Sequence, residues 1–348
     1  MTATAARTRE LGVDLRVLRV DVETPDAISI TFDVTPRSHP AFAFTAGQFL
    51  TLRIPSDRTG SVARCYSLAS APALDEHLKV AVKRTADGYA SNWLCDNAAT
   101  GMTLRVLPPA GLFTPRSLSE DLLLYAGGSG ITPMMSIIKT ALTTTERRVA
   151  LFYANRDHDS VIFAGELEAL VSAYPDRLHV QHWIETDEGL PTAHSVVRFP
   201  TVCGEAAEAL VCGPAPFMDL VRTVLGEDAR YRVRCEEFMS IDGDPFVLEI
   251  TDNADDDATP LTVVLDGAET SLAWPADAKL LDVLLAEGID APYSCREGDC
   301  GSCMCLLREG NVEMDVTDAL AEEDIADGFI LACQARHPEG PIRVDFDA

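Results

Sequence analysis

"YSCREGDCGSCMC", residues 293–305, places four cysteines within eleven positions. The chain has 348 residues and ten cysteines, which is too sparse for a disulfide-rich scaffold. Its first residues, "MTATAARTRELGVDLRV", contain no apolar run of the length that a secretory signal needs, and no stretch of about 18 apolar residues predicts a membrane span. We therefore expect a reducing, cytoplasmic setting, in which crowded thiols indicate metal or redox chemistry.

The spacing of these thiols indicates an iron-sulfur cluster. Cys295, Cys300 and Cys303 form C-x4-C-x2-C, the spacing of plant-type 2Fe-2S clusters, which need a fourth, distant thiolate. Cys333 in "FILACQAR" supplies that thiolate 30 residues after Cys303. The alternatives are a zinc site, which more often has two C-x2-C pairs or added histidines, and buried free thiols. Cys305 follows in a strand-like alternation and is predicted to be a core residue rather than a ligand.

The negative charge of the chain argues against nucleic acid as a partner. The net charge of -27 would repel the phosphates of nucleic acid. The excess is uneven, because residues 259–348 contain 19 acidic and 5 basic residues, a net charge of -14. This segment either steers the protein towards a basic patch on a partner or is a solvated acidic face, and the sequence leaves both interpretations open.

Length and pattern predict a multidomain protein. Short alternating apolar runs over 12–116 predict an antiparallel β-barrel. Over 120–238 a buried strand, a glycine turn and a helix precede further strands and helices, which predicts an α/β domain with a parallel sheet. Composition predicts a linker over 239–258, with "FVLEI" as a candidate short strand. Residues 259–348 combine strands, a helix and the cysteine loop, and we expect the α+β (β-grasp) fold of ferredoxins there.

Two glycine-containing turns are candidate phosphate sites. "AGGSGITP", Ala126–Pro133, follows an apolar run and opens a helix, so that the backbone and the helix N-terminus can meet a pyrophosphate. A plain strand-to-helix turn is the alternative. In the barrel, "RCYS", Arg64–Ser67, lies between two strand-like runs, where an arginine fork suits a pyrophosphate. Gly88 and Ser91 stand at a predicted helix start and form a second cradle.

A family resemblance emerges when the motifs are taken in order. "RCYS", "GYASNWL", "GGSGITPMMS", "VCGPAPFM" and "CEEF" resemble the ferredoxin-NADP reductase superfamily, from about residue 12 to the end of the chain. The added C-x4-C-x2-C domain narrows the resemblance to reductases of the phenylacetyl-CoA oxygenase type. This resemblance implies FAD in the barrel, NADH or NADPH on the α/β domain and a 2Fe-2S cluster at the C-terminus. It also implies a partner, a Rieske-type oxygenase acting on steroid ring compounds.

The resemblance implies roles for individual residues. Those expected to hold the flavin are Arg64, Tyr66, Ser67, Val82, Lys83, Gly88 and Ser91. Those expected to receive the dinucleotide are Gly127, Gly128, Gly130, Thr132 and Pro133. The expected catalytic set is Ser67 near flavin N5, Cys212 by the nicotinamide ring, and Glu236. Glu236 and Phe238 match an acidic-x-aromatic ending that brings an aromatic ring to the flavin, although here a further domain follows Phe238. A structural thiol is the alternative for Cys212.

The loop "NRDHDS" bears on the choice of dinucleotide. Asp157 and Asp159 flank the single Arg156 and His158, and a carboxylate disfavours a 2′-phosphate, so the loop predicts NADH. In the opposing interpretation, Arg156 grips the phosphate of NADPH.

Other functions stay open at this stage. The seven histidines form no Rieske or H-E-x-x-H pattern, so the metal of hydroxylation is expected on another protein. The same electron chemistry could serve another oxygenase, such as a phenylacetyl-CoA epoxidase. A non-catalytic iron-sulfur sensor that keeps a reductase fold is the third hypothesis.

Overall fold

The computed structural model describes residues 7–72, 74–199, 207–238, 240–250 and 258–348. Within these ranges the strands form one six-stranded sheet, two five-stranded sheets and one two-stranded sheet. None of the helices in the described ranges is long and apolar enough to cross a membrane.

The N-terminal part is an antiparallel barrel. Its strands and helix, with the preceding strand β1, are β1 (Arg7–Glu10), β2 (Val13–Thr24), β3 (Ala27–Phe32), β4 (Phe49–Ser56), β5 (Gly60–Ser67), β6 (Leu78–Lys83), α1 (Tyr89–Asn97) and β7 (Thr103–Val106). Strands β2–β7 pair in the order β5-β4-β7-β2-β3-β6, and a bridge between Leu68 and Val80 joins the two ends. The predicted barrel is confirmed, but "RCYS" ends strand β5 instead of lying between two strands.

The middle part is a parallel sheet covered on both faces. Its elements are β8 (Asp121–Gly127), α2 (Ile131–Thr144), β9 (Val149–Asn155), α3 (Ala164–Ala173), β10 (Leu178–Ile184), α4 (Glu185–Glu188), α5 (Ala193–Arg198), β11 (Ala207–Cys212), α6 (Ala215–Gly226) and β12 (Tyr231–Glu236). The strand order is β10-β9-β8-β11-β12. Helices α2 and α3 pack on one face and α5 and α6 on the other, which explains why the inner strands are apolar throughout.

The segment after β12 is ordered where the structure describes it. Strand β13 (Val247–Ile250) pairs antiparallel with β1, and the amide of Leu11 donates to the carbonyl of Phe246 at 2.7 Å. Phe246 and Leu248 are fully buried. The predicted linker therefore contains the candidate strand and packs against the barrel, while its acidic stretch 251–257 lies outside the described residues.

The C-terminal part is a mixed sheet with short helices. Its elements are β14 (Thr259–Leu265), β15 (Ala268–Trp274), α7 (Leu280–Ala286), β16 (Met304–Met314), α8 (Glu322–Ala326), β17 (Phe329–Leu331) and β18 (Ala335–Asp345). The order is β15-β14-β18-β16-β17, with β14 and β18 parallel and the other pairs antiparallel. The cysteine loop connects α7 to β16, so the helix and the strand hold the two ends of the loop.

The C-terminal domain is docked on the barrel. One continuous apolar core contains Leu284 and Ile330 of this domain, Phe246 of the segment between the domains, and Ala63 and Leu107 of the barrel. Burial of this shared apolar surface stabilises the docked arrangement.

A buried charge network joins the barrel to the parallel sheet. Lys139 of α2, whose side chain is 2% exposed, contacts Asp75 at 2.7 Å and Glu166 of α3 at 3.0 Å. Lys79 of β6 also contacts Glu166, at 2.7 Å. Because a buried ammonium is costly unless it is paired, this network holds the two domains in one relative position.

Candidate functional site

The cysteine loop is shaped by residues with positive φ. Arg296, Gly298 and Gly301 have φ values of 62°, 96° and 68°, so the backbone curls around the thiols. The curl aims amides at sulfur, since the amide of Glu297 donates to Cys295 Sγ at 3.4 Å and that of Cys333 to Cys303 Sγ at 3.4 Å. Amide donors of this kind stabilise thiolate ligands.

The four predicted ligands lie together as two thiol pairs. The hydrogen bond with Cys300 lowers the pKa of Cys295 to about 6, and the hydrogen bond with Cys303 lowers the pKa of Cys333. The thiolate is the form that binds iron. In the described part of the chain, no group of three or more such side chains converges on a single metal ion. Cys300 and Cys303, the partners in the two pairs, have raised pKa values because each donates to its neighbour and is buried. Four thiols arranged as two pairs would suit a two-iron cluster better than a single zinc ion.

Cys305 lies apart from these pairs. It is 1% exposed in strand β16, in register with Ile330 of β17, and it belongs to the domain core. Burial raises the pKa of its thiol, which disfavours the thiolate. The placement agrees with a core residue, as the sequence predicts.

A buried glutamine, to which no sequence motif points, contacts one of the ligands. Gln334 donates from Nε2 to Cys333 Sγ at 3.3 Å and to the carbonyl of Arg296 at 3.1 Å. Its Oε1 accepts from Lys279 at 3.4 Å. It thereby ties together the two chain segments that carry the ligands. Its position directly after Cys333 is the one signal in the sequence that could identify it.

A cavity of about 280 Å³ lies between the barrel, the N-terminus of α1 and the turn before α2. The predicted residues that line it are Arg64, Tyr66, Ser67, Lys83, Gly88, Ser91, Thr132 and Phe238. Residues that the prediction missed are Cys65, Ala81, Thr85, Tyr89, Ala90, Ser129 and Ser240. Hydroxyls, two cations and a helix N-terminus around one cavity fit a phosphate-bearing flavin.

Two predicted flavin residues have unexpected surroundings. The side chain of Val82 is 0% exposed in the barrel core, whereas Ala81 and Lys83 line the cavity, because neighbouring strand residues point to opposite faces. Arg64 Nη1 donates to the carbonyl oxygens of Ala63 at 2.6 Å and Ile241 at 2.8 Å. The guanidinium thus faces the cavity and also fixes the segment that follows β12.

A second cavity, of about 260 Å³, lies at the carboxyl ends of the parallel strands. Its lining includes Gly127 and Gly128 as predicted, together with Lys83, Ala154, Asn155, Arg156, Glu185, Leu190, Pro191, Pro214, Pro216, Phe217 and Leu220. The strand order reverses between β8 and β11, and ligands of open α/β sheets bind at such a point. The geometry fits a dinucleotide.

Three residues of the predicted glycine turn have other contacts. A Cβ on Gly130 would overlap the carbonyl oxygen of Cys212, so this glycine permits close packing of two chain segments. Thr132 donates to the carbonyl of Ser129 at 2.9 Å and lines the first cavity. Pro133 is buried in the first turn of α2.

Arg156 and His158 of the loop "NRDHDS" each contact a carboxylate. Arg156 contacts Asp157 at 2.8 Å, and His158 contacts Asp187 at 2.9 Å. Glu185 follows β10 directly and adds a carboxylate to the cavity wall beside Arg156.

Cys212 and Glu236 end neighbouring strands. Cys212 is 0% exposed within the apolar core, and burial raises its pKa. Burial also raises the pKa of Glu236 to about 8, which the nearby Arg234 partly opposes. Glu236 Oε2 is shielded from solvent and has no hydrogen-bond partner among the residues that the structure describes. The Cys212 side chain thus lies in the core at the carboxyl end of its strand, whereas Glu236 lines an open space.

That space is a cleft of about 510 Å³ between the three domains. Cys65, Ser67 and Phe238 line both the cleft and the first cavity. Cys295 and Cys300 of the cysteine loop also line the cleft. The cleft therefore joins the flavin cavity to the ligand loop.

Family models match three parts of the chain. An oxidoreductase FAD-binding domain matches residues 11–114, an oxidoreductase NAD-binding domain residues 124–223, and a 2Fe-2S iron-sulfur cluster binding domain residues 263–337. The predicted cofactor classes and the three folds are thereby confirmed.

Curated relatives narrow the family. The ferredoxin reductase component of 3-ketosteroid-9-alpha-monooxygenase from Rhodococcus rhodochrous is 54% identical over 341 residues, which cover 96% of this chain and 97% of that protein. The chain belongs to this family of reductase components. A component of the 1,2-phenylacetyl-CoA epoxidase from Escherichia coli K12 is a more distant relative, at 34% identity over 96% of this chain and 97% of that protein.

A solved structure shares the architecture of this reductase family. Phthalate dioxygenase reductase, described as modular for electron transfer from pyridine nucleotides to 2Fe-2S, aligns with a TM-score of 0.56 and 26% identity. The alignment covers 96% of this chain and 98% of that one. As a reductase component, the protein binds a nicotinamide nucleotide and serves an oxygenase partner.

Proposed function

We propose that this protein carries electrons from NADH, through FAD and a 2Fe-2S cluster, to a Rieske-type 3-ketosteroid 9α-hydroxylase oxygenase in the cytoplasm. The cleft carries this proposal, because Cys65 and Ser67 of the flavin cavity and the ligands Cys295 and Cys300 line one space. A bound flavin supplies the conversion of one hydride into two single electrons. We assign residues 12–116 to the flavin domain, 120–238 to the dinucleotide domain, 239–258 to the connection and 259–348 to the cluster domain.

Different residues of the first cavity contact different parts of the flavin. Arg64 and Lys83 neutralise the pyrophosphate, and the amides at the start of α1, near Gly88 and Ser91, bind its oxygens. Tyr66 packs against the ring system. Ser67, which is 4% exposed, donates its hydroxyl to the flavin edge that faces the cleft.

The sheet end positions the nicotinamide. Gly127 and Gly128 admit the dinucleotide backbone, and a Cβ on Gly127 would lie 2.8 Å from Pro214 Cδ. Phe238, which is 51% exposed and lines both the cleft and the first cavity, would cover a bound flavin on the side from which the nicotinamide approaches. Glu236 holds a proton at neutral pH because its pKa is raised, so it offers a donor to the nicotinamide carboxamide without adding negative charge.

The dinucleotide is NADH in this proposal. Asp157 pairs with Arg156, the cation best placed to meet a 2′-phosphate, and Glu185 shares the cavity wall. Both carboxylates disfavour the extra phosphate of NADPH.

Reconstitution tests the proposal. Purified protein should reduce ferricyanide with NADH at a much higher specificity constant than with NADPH. It should then support steroid turnover with a Rieske-type 3-ketosteroid 9α-hydroxylase oxygenase and fail with the oxygenase component of phenylacetyl-CoA epoxidase. Turnover only with the latter would reassign the partner, and absence of NADH-to-ferricyanide activity would favour the sensor hypothesis.

A further inference from the structure

A buried junction connects the barrel directly to the cluster loop. The hydroxyl oxygens of Thr51 and Ser294 are hydrogen-bonded at 2.7 Å, and each residue is 1% exposed. Cys65 Sγ lies 3.5 Å from Thr51 Oγ1 and 3.8 Å from Ser294 Oγ. Two hydroxyls and a thiol thus form a polar cluster inside an apolar interface, with the thiol at the edge that borders the cleft.

Each member of the junction adjoins a functional element. Thr51 and Cys65 face each other in register on β4 and β5. Cys65 stands between Arg64 and Tyr66 in "RCYS" and lines both the flavin cavity and the cleft. Ser294 directly precedes the ligand Cys295. The junction is therefore a direct link between the flavin-binding strand and a cluster ligand.

We propose that the Thr51–Cys65–Ser294 junction is a positioning device that sets the rate of electron transfer from the flavin to the cluster. It deepens the proposed function and rests on it. Separating the two hydroxyls would leave each of them buried with only the weaker contact to the Cys65 thiol, which costs free energy. That cost keeps the ligand loop pressed against strand β5 and fixes the gap between the two redox centres.

A second set of contacts keeps the domain docked when the junction is altered. Glu297 accepts hydrogen bonds from the amides of Asp242 at 2.9 Å and Gly243 at 2.5 Å. Arg296 Nη1 donates to the carbonyl of Val247 at 2.6 Å. Loss of one junction hydroxyl should thus loosen the loop locally without releasing the C-terminal domain.

The redox balance of the step is simple. In each transfer the reduced flavin loses one electron and the cluster gains one, and two transfers follow each hydride that NADH delivers. The junction residues neither gain nor lose an electron or a proton, so their contribution is geometric.

The test uses the holoprotein and the variants Thr51→Val, Ser294→Ala and their double variant. Anaerobic stopped-flow mixing with NADH separates flavin bleaching from the later cluster bleaching. We expect the flavin phase to be unchanged and the cluster phase to slow several-fold in each single variant, because electron transfer slows as the gap between the two centres widens. The double variant should be no slower than either single variant, because both remove the same interaction.

Ser136→Ala is the matched control. Ser136 and Ser70 are equally buried, and the Ser136 hydroxyl donates to the Ser70 carbonyl at 2.6 Å between the barrel and the dinucleotide domain. This variant should leave the cluster phase unchanged. In the junction variants, the magnetic coupling between the one-electron-reduced flavin and the reduced cluster, measured by EPR, should weaken as the gap widens.

Several other results would contradict the positioning role. An unchanged cluster phase in the single variants, additive slowing in the double variant, or equal slowing of both phases overturns the positioning role. If Ser294→Ala fails to load a cluster, Thr51→Val carries the test, since Thr51 belongs to the barrel. A wild-type flavin that NADH does not reduce would instead overturn the proposed function.

Discussion

Cys212 and Glu236 lie opposite each other in register at the carboxyl ends of two parallel strands. The Cys212 side chain is enclosed by the core, while Glu236 lines the cleft between the domains. A carboxyl group held at this edge has lost water and has Arg234 as its nearby opposing charge, so its pKa is raised to about 8. The pair therefore presents a neutral acid, not a carboxylate, to the cleft that joins the flavin cavity to the ligand loop.

Glu236→Gln should change how stability depends on pH. Because the pKa of Glu236 rises from 4.5 to about 8 on folding, its contribution is fully present below pH 4.5 and is lost as pH increases to about 8. The wild type should lose stability across this window, on the order of a few kcal/mol, relative to the glutamine variant. Calorimetric midpoints of the flavin-loaded proteins measure the difference. The exposed neighbour variant Glu237→Gln should follow the wild-type curve; parallel curves for wild type and Glu236→Gln would contradict the prediction.

Cys333→Ser and Cys305→Ser should have opposite effects on the cluster. The first removes a member of a thiol pair and should abolish the cluster absorbance and bound iron. The second places a hydroxyl in the apolar core and should cost about 1–3 kcal/mol of stability while leaving iron content intact. NADH-to-ferricyanide activity should persist in both variants, because the flavin lies in another domain. Loss of iron in Cys305→Ser together with its retention in Cys303→Ser would reverse the ligand assignment.

Gln334→Leu should make the midpoint potential of the cluster more negative. The Gln334 amide donates to Cys333 Sγ at 3.3 Å, and such donors stabilise the more negative, reduced cluster. The expected shift is roughly 20–60 mV, the one-electron equivalent of a hydrogen bond of about 0.5–1.5 kcal/mol. Potentiometry followed by EPR measures it. Gln181→Leu, in the dinucleotide domain, is the control and should keep the wild-type potential. An unchanged midpoint potential in Gln334→Leu would exclude this tuning role.

Glu185→Gln should relax the preference for NADH. Glu185 is half-buried in the wall of the dinucleotide cavity beside Arg156, so removing its charge weakens the repulsion of a 2′-phosphate. We expect kcat/KM with NADPH to rise by about 3- to 10-fold, which is the scale of a partly screened charge, with little change for NADH. Glu188→Gln, exposed on the same helix, is the control. Equal constants for both dinucleotides in the wild type would contradict the NADH assignment itself.

The sequence predicts best those features that are local. The predicted ligands Cys295, Cys300 and Cys303 could be recognised from spacing because they occupy one loop, and the barrel and the parallel sheet follow from hydrophobic periodicity. Side-chain direction is harder to predict. The motif places Val82 at the flavin, but its side chain points into the barrel core, since a strand alternates its faces and the motif does not show which face is inward. Gly130 has the sequence context of a phosphate-binding glycine, but its lack of a side chain is required by the carbonyl of Cys212.

Long-range relations are absent from sequence patterns altogether. Thr51 and Ser294 are 243 positions apart, and each resembles an ordinary hydroxyl in its own segment. The segment after Phe238 has the composition of a linker. Its hydrogen-bond partner, strand β1, lies at the other end of the chain, so the local sequence does not show that part of this segment is a strand. Contacts of this kind are set by tertiary pairing, which hydrophobic periodicity does not reveal.

The pairing of β1 with β13 has a consequence for biosynthesis. Arg7 pairs with Ile250, so the first strand leaves the ribosome about 240 residues before its partner. At about 5–20 residues per second, that interval is roughly 10–50 seconds, during which strand β1 has no hydrogen-bond partner and the apolar surface at Leu11 is uncovered. Assembly of this part of the molecule therefore waits for the segment after Phe238, and premature termination there would release a chain whose strand β1 has unpaired backbone groups and is prone to self-association.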